Sequence, residues 1–128
     1  MAKTKGFTIE VENRPGTVAE IAKVLGAAKV NLLALLATAH GASGTVQLVV
    51  ENAGQAKKAF DKAAVKYREI PAEQHELANK PGALADYLDK LAGKGVNLNS
   101  ICCAAPKGAK KALVVSTAAA ASEVETVT

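Results

Sequence analysis

The stretch Asn13–Leu32, NRPGTVAEIAKVLGAAKVNL, decides the fold because it occurs twice. Its second copy is Asn79–Leu98, NKPGALADYLDKLAGKGVNL. Asn-x-Pro-Gly opens both copies and Val-Asn-Leu closes both. Between these anchors, Val18, Ile21, Ala22 and Leu25 stand where Leu84, Tyr87, Leu88 and Leu91 stand in the second copy. That i, i+3, i+4, i+7 spacing is one apolar face of an α-helix. A single Pro-Gly pair arises easily by chance. The pair, the closing tripeptide and a helical face in common register mean an internal duplication, and a duplication sets the folding unit.

Upstream of the first copy, Phe7–Glu12 alternates apolar and polar residues and predicts a strand. Pro15-Gly16 turns the chain, and a helix runs from Thr17 to Ala28. Lys29 and Val30 lead into a second strand that ends near Ala39. His40-Gly41-Ala42-Ser43-Gly44 reads as a hairpin loop, and Thr45–Glu51 as the third strand. A second helix carries Ala56, Ala59, Phe60 and Ala63 on one face, with Asn52 in its N-cap region. Tyr67–Ile70 is a short fourth strand. The order is βαββαβ, which predicts an α+β, ferredoxin-like fold with antiparallel sheets, built as two tandem units over residues 1–71 and 72–128.

The second unit reads less cleanly. Glu73–Ala78 is its expected first strand, although Glu73-Gln74-His75-Glu76 is poor strand material. Lys94–Ala105 contains the second strand, Ala112–Thr117 is the third, and Ala118–Thr128 is the expected start of a second helix. This unit is expected to lack its last strand, which leaves a sheet edge bare or covered by a symmetry partner.

Composition narrows the class. The 128 residues suit one domain or two very small ones. Apolar residues make up 49% and charged ones 22%, which fits a folded globular protein. The four aromatic residues are Phe7, Phe60, Tyr67 and Tyr87, so aliphatic side chains must build the core. No apolar run approaches the roughly 18 residues of a membrane helix, and the basic start carries no signal-peptide pattern. A net charge of +4 permits a nucleic-acid partner without requiring one. The two adjacent cysteines, Cys102 and Cys103, are too few for a disulfide framework and suit a reducing, cytoplasmic setting. On a strand they point to opposite faces, which makes them poor partners for one metal; they read as small buried hydrophobes.

The repeated turn carries the chemistry. Pro15 fixes φ and has no N–H, and Gly16 admits conformations closed to other residues. The amides near Thr17 and Val18 begin a helix and lack partners within it, so they suit a carboxylate or another small anion. The Asn13 side chain donates and accepts at once. Amides for a carboxylate, with carbonyls of Asn13, Asn31 or the backbone for an ammonium, would suit a free amino acid. Asn79, Gly82, Ala83, Leu84 and Asn97 repeat the arrangement. The same residues also serve as plain turns with an Asx cap, preserved by duplication.

A βαββαβ unit of this length, with Asn-x-Pro-Gly opening its first helix and Val-Asn-Leu entering its second strand, resembles the ACT domain. The resemblance spans Phe7–Ile70 and, more loosely, Glu73–Thr117, and tandem ACT pairs in a small free-standing chain are a known form. It implies a regulatory protein that senses a small molecule, usually an amino acid, between side-by-side units near the first turn. The family positions fall on Asn13, Arg14, Pro15, Gly16, Thr17, Val18 and Asn31, and in the second unit on Asn79, Pro81, Gly82, Ala83, Leu84 and Asn97.

Other classes find less support. His40 and His75 have no ligand partner at metal spacing, and no phosphate loop or nucleophile elbow occurs, so no enzyme, metal or cofactor is expected. RNA-binding versions of this topology stack bases on aromatic strand residues, and strand three here has none. An interaction module without a ligand remains the alternative. The second strand is apolar on both faces, and its Leu33, Leu35 and Ala37 face is expected to meet a second copy or a partner enzyme.

Overall fold

The computed structural model describes residues 2–118, with side chains from residue 4 onward. Its elements are β1 (Ala2–Glu12), α1 (Thr17–Ala27), β2 (Leu32–His40), β3 (Ser43–Val50), α2 (Ala53–Lys62), β4 (Arg68–Ala78), α3 (Ala83–Gly93), β5 (Leu98–Ala104) and β6 (Lys111–Ala118). They form two compact units. One is Lys5–Ile70, and the other is the chain from Pro71 together with residues 2–4. The fold is α+β with duplicated ferredoxin-like antiparallel pairing.

In the Lys5–Ile70 unit the strand order is β2-β3-β1-β4. Phe7 lies opposite Leu48 and Ile9 opposite Val46, while Leu35 and Ala37 take the same two partners from the other side. Side chains alternate across a strand, so these residues share one face, and the helices cover it. Phe7, Leu25, Val46, Val50, Ala56 and Phe60 are 0% exposed there. Phe7 meets both Phe60 and Tyr67 edge-on, with ring centroids 5.5 and 5.4 Å apart. Three of the chain's four aromatic rings thus form the centre of this core, a geometry that adds to plain area burial. Asn52 caps α2 as predicted, its side chain accepting from the Gln55 amide at 3.0 Å.

In the second unit the order is β5-β6-β4-β1. Glu73 lies opposite Ser116, His75 opposite Val114 and Leu77 opposite Ala112. Tyr87, Leu91 and Val114 are the buried centre, joined by Leu77, Leu84, Leu88, Val96, Leu98 and Ile101. The His75 ring stacks on Tyr87 at 5.0 Å, nearly parallel.

Several expectations change. β1 begins at Ala2, five residues ahead of the alternating stretch, and β4 is one unbroken strand where two were expected. Its first three residues, Arg68–Ile70, belong to one unit and the rest to the other. Within it the polar stretch Glu73–Glu76 is strand as expected, because pairing with β6 outweighs weak intrinsic preference. The fourth strand expected to be missing from the second unit has a substitute in residues 2–4, the N-terminal end of β1. Ala118 closes β6 instead of opening a helix, and the remainder of that expected helix lies outside the described residues. Cys102 is half-buried and Cys103 exposed, because β5 is an edge strand and one side of each residue stays open.

Of the expected apolar contact face on β2, Ala37 is exposed, whereas Leu33 and Leu35 are half-buried. Leu35 packs on the helix-covered core, as Ile101 does in the second unit. The large residues left open are Leu36, 42% exposed, and Leu32. A bulge between Leu32 and Ala34 resets which side chains share a face.

Candidate functional site

The repeated turns are built alike. β1 ends at Glu12, and Gly16 sits at the N-cap of α1 with φ of 92°, a left-handed conformation that favours glycine. Gly82 occupies the same place before α3 with φ of 88°. Neither helix start has a side-chain cap. No side chain therefore covers the positive end of either helix dipole, although the Ala83 amide of α3 donates to the Lys80 carbonyl at 3.3 Å. Within the first turn, the Thr17 hydroxyl donates to the Arg14 carbonyl at 3.3 Å and is almost fully buried.

Each asparagine has a definite task. The Asn13 backbone amide donates to the Ala42 carbonyl, and its side-chain Nδ2 donates to the Gly41 carbonyl, both at 2.9 Å. Asn79 does the same toward Lys110 and Ala109, again at 2.9 Å in both bonds. The asparagine therefore straps its turn to the neighbouring hairpin, β2–β3 in one unit and β5–β6 in the other. The Nδ2 donor is committed to that strap. Oδ1 accepts from no described residue and remains open to a ligand or to water.

Arg14 supplies the charge. Its Nε donates to Glu12 Oε2 at 3.0 Å, and another guanidinium nitrogen reaches Glu20 Oε1 at 3.5 Å. The hydrogen bond to Glu12 and the negative charge of Glu20 raise its already high pKa. All three side chains are at least half exposed, so the cluster orients the guanidinium more than it stabilises the fold. Beside it lies a depression of about 150 Å³ lined by Asn13, Arg14, Thr17, Val18, Ala37 and Thr45 among others. A site of this size suits a small molecule; drug-sized ligands occupy about 300–1,000 Å³.

Asn31 does not join this group within its unit. Glu12 lies opposite Ser43, whereas Leu32 lies opposite Val50. Those positions are about 23 Å apart at roughly 3.3 Å per strand residue. Asn31 instead donates from Nδ2 to Glu51 Oε2 at 3.3 Å, while its carbonyl accepts from the Glu51 amide. Asn97 occupies the matching end of its own unit, just before β5. Pro15 and Pro81 complete their turns, and Ala83 and Leu84 open α3 as Thr17 and Val18 open α1. The sequence reading missed Glu12, Glu20, Ala37 and Thr45, which reach the site only through sheet pairing and the first helical turn. Among the described residues there is no His, Cys, Asp and Glu grouping that could hold a metal ion, and no helix long and apolar enough to cross a membrane.

No protein-family model matches the sequence, and no curated protein matches it. Solved structures do. The chain is similar to protein BT0572 from Bacteroides thetaiotaomicron, with a TM-score of 0.80 and 26% identity over 98% of this chain and 85% of that one. It is similar to the regulatory subunit of aspartate kinase from Thermus thermophilus, with a TM-score of 0.67 and 16% identity over 95% of this chain and 86% of that one. The corresponding subunit from Thermus flavus gives 0.63 and 14% identity, covering 91% and 82%. At these identities the two subunits establish a shared fold.

Proposed function

We propose that this chain is a tandem ACT-like regulatory protein, not an enzyme, which senses a free amino acid and signals to a separate partner in the cytoplasm. The observation that carries the reading is the fold of nearly the whole chain, which it has in common with regulatory subunits of aspartate kinase. The first turn supports it locally. Uncapped helix amides and the Arg14 guanidinium offer two anchors for a carboxylate, and Asn13 Oδ1 offers one for an ammonium. The depression is open along β2, an edge strand of its unit, so a second chain laid beside it would close the site. A ligand held by two chains necessarily biases their packing, which is the thermodynamic content of a sensor.

The test is a thermal-shift screen of the full chain against the twenty amino acids. A ligand that binds only the folded chain raises its stability by about 2.7 kcal/mol at a hundredfold excess over Kd. Arg14→Gln and Ala37→Leu are the controls, one removing the cation and the other filling the depression. A shift with one amino acid, lost in both variants, supports the sensor. Silence with all twenty sinks it.

A second reading has its own observation. Leu32 and Leu36 are large apolar residues left 38% and 42% exposed on one edge strand. A ligand-free docking module explains them without any site at the turn. It predicts that Leu36→Asp abolishes self-association or partner capture while no amino acid has an effect.

A further inference from the structure

The duplicated units differ at one end of their helix-covered cores. In the Lys5–Ile70 unit, Phe60 and Ala56 of α2 fill this end against Phe7, Leu25 and Leu48, and all five are at most 2% exposed. Phe7 lies opposite Leu48 in the sheet. The equivalent pair in the second unit is Glu73 opposite Ser116. Lys94 stands where the first unit has Ala28. Three positions that are apolar in one copy are thus acidic, hydroxylic and basic in the other.

These three residues line one cavity of about 170 Å³, whose apolar wall includes Leu91, Val96 and Leu98. Ser116 is only 5% exposed and lines the cavity. Neither Glu73 nor Lys94 makes an ion pair among the described residues. Glu73 is half-buried and Lys94 exposed, so both stay hydrated while the cavity is empty, and their opposite signs at one small apolar cavity are complementary to a ligand that carries both. We propose that this cavity is a second binding site, for a zwitterion of the free amino-acid class. Lys94 takes the carboxylate and Glu73 the ammonium. Ser116 bonds to the ligand's polar end, and the ligand side chain lies on Leu91, Val96 and Leu98. The site shares no residue with the first turn and stands whether or not that turn binds anything.

Methyl-resolved NMR titration of the full chain with each L-amino acid tests it. The expected result is one amino acid that shifts the methyls of Leu91, Val96 and Leu98. Glu73→Gln and Lys94→Met should each weaken that binding about tenfold or more, the loss typical of a hydrogen bond to a charged group. Both variants should melt like the parent, and the N-acetylated ligand, lacking its ammonium, should bind as poorly as Glu73→Gln allows. Shifts confined to Val18 and Ala37 would overturn this site while favouring the turn. Methyl contacts between Leu91 or Leu98 and Val124 or Val127 would overturn it by showing the cavity filled by the chain itself, and an absence of shifts would overturn it outright.

Discussion

Replacing Asn13 separates a strap from a ligand contact. Its Nδ2 donates to the Gly41 carbonyl at 2.9 Å, and the bond is exposed. A typical net hydrogen bond contributes about 0.5–1.5 kcal/mol, and water can replace an exposed donor, so Asn13→Ala should cost about 0.5–1 kcal/mol. The backbone bond to Ala42 survives the change. Asn13→Asp is the sharper perturbation. It keeps the shape but sets a carboxylate oxygen against a carbonyl oxygen, two acceptors with no proton between them. Its cost at neutral pH should exceed that of alanine, at about 1–2 kcal/mol. Urea unfolding measures both, since a slope of about 1–3 kcal/mol/M turns such costs into midpoint shifts of several tenths molar. Amide exchange of the β2–β3 hairpin should quicken in both variants, a local effect that a pure ligand contact would not produce. Asn79→Asp should repeat the pattern at the β5–β6 hairpin. An Asn13→Asp protein as stable as the parent, with unchanged hairpin exchange, would refute the strap.

The duplication supplies its own control at the helix ends. Lys29 follows α1 with φ of 58°, where the second unit has Gly95 with φ of 74°. Lys29→Gly should therefore raise stability, and Gly95→Lys lower it, each by about 1 kcal/mol, as read from thermal melts. The hydroxyl of Tyr87 is buried and has no hydrogen-bond partner. Tyr87→Phe removes an unsatisfied group and should leave the melting temperature unchanged or raised; a loss above about 1 kcal/mol would mean the hydroxyl is bonded. The Lys57 hydrogen bond, aided by Lys5, holds the Glu69 carboxyl below its ordinary value of 4.5. A lowered folded pKa favours folding above the unfolded value, and the contribution fades as pH falls through the folded one. Glu69→Gln should thus narrow its stability difference from the parent as pH drops below 4.5, and a constant difference would discount the ion pairs.

The sequence exposed what repeats and what alternates. The two turns, α1, α3 and the Asn52 cap were legible because their signals lie within a few residues of one another. The seam between units was not. Arg68–Ala78 contains Pro71 and a run of Glu, Gln and His, and it is a strand only because β6 lies along it. Nor was the facing of β2 legible. Leu32–Leu36 is apolar at every position, so no pattern distinguishes inward from outward, and the bulge near Leu33 decides it. At the site, the glycine and proline were readable as a turn. The strap was not, because the carbonyls of Gly41 and Ala42 arrive from a hairpin nearly thirty residues away. The separation of Asn31 from Asn13 follows from chain direction alone. A helix that leaves one end of a sheet delivers the next strand to the other end, so residues flanking the two ends of α1 cannot meet within one unit.

β1 and β4 each serve both units, and this governs how the molecule can be divided. The boundary between the compact units, between Ile70 and Pro71, falls inside β4. A gene cut there would yield two fragments, each deprived of part of a strand and left with open backbone amides and carbonyls along a sheet margin. Such margins recruit a strand from another molecule. The halves of this protein, made separately, would therefore exchange segments or precipitate.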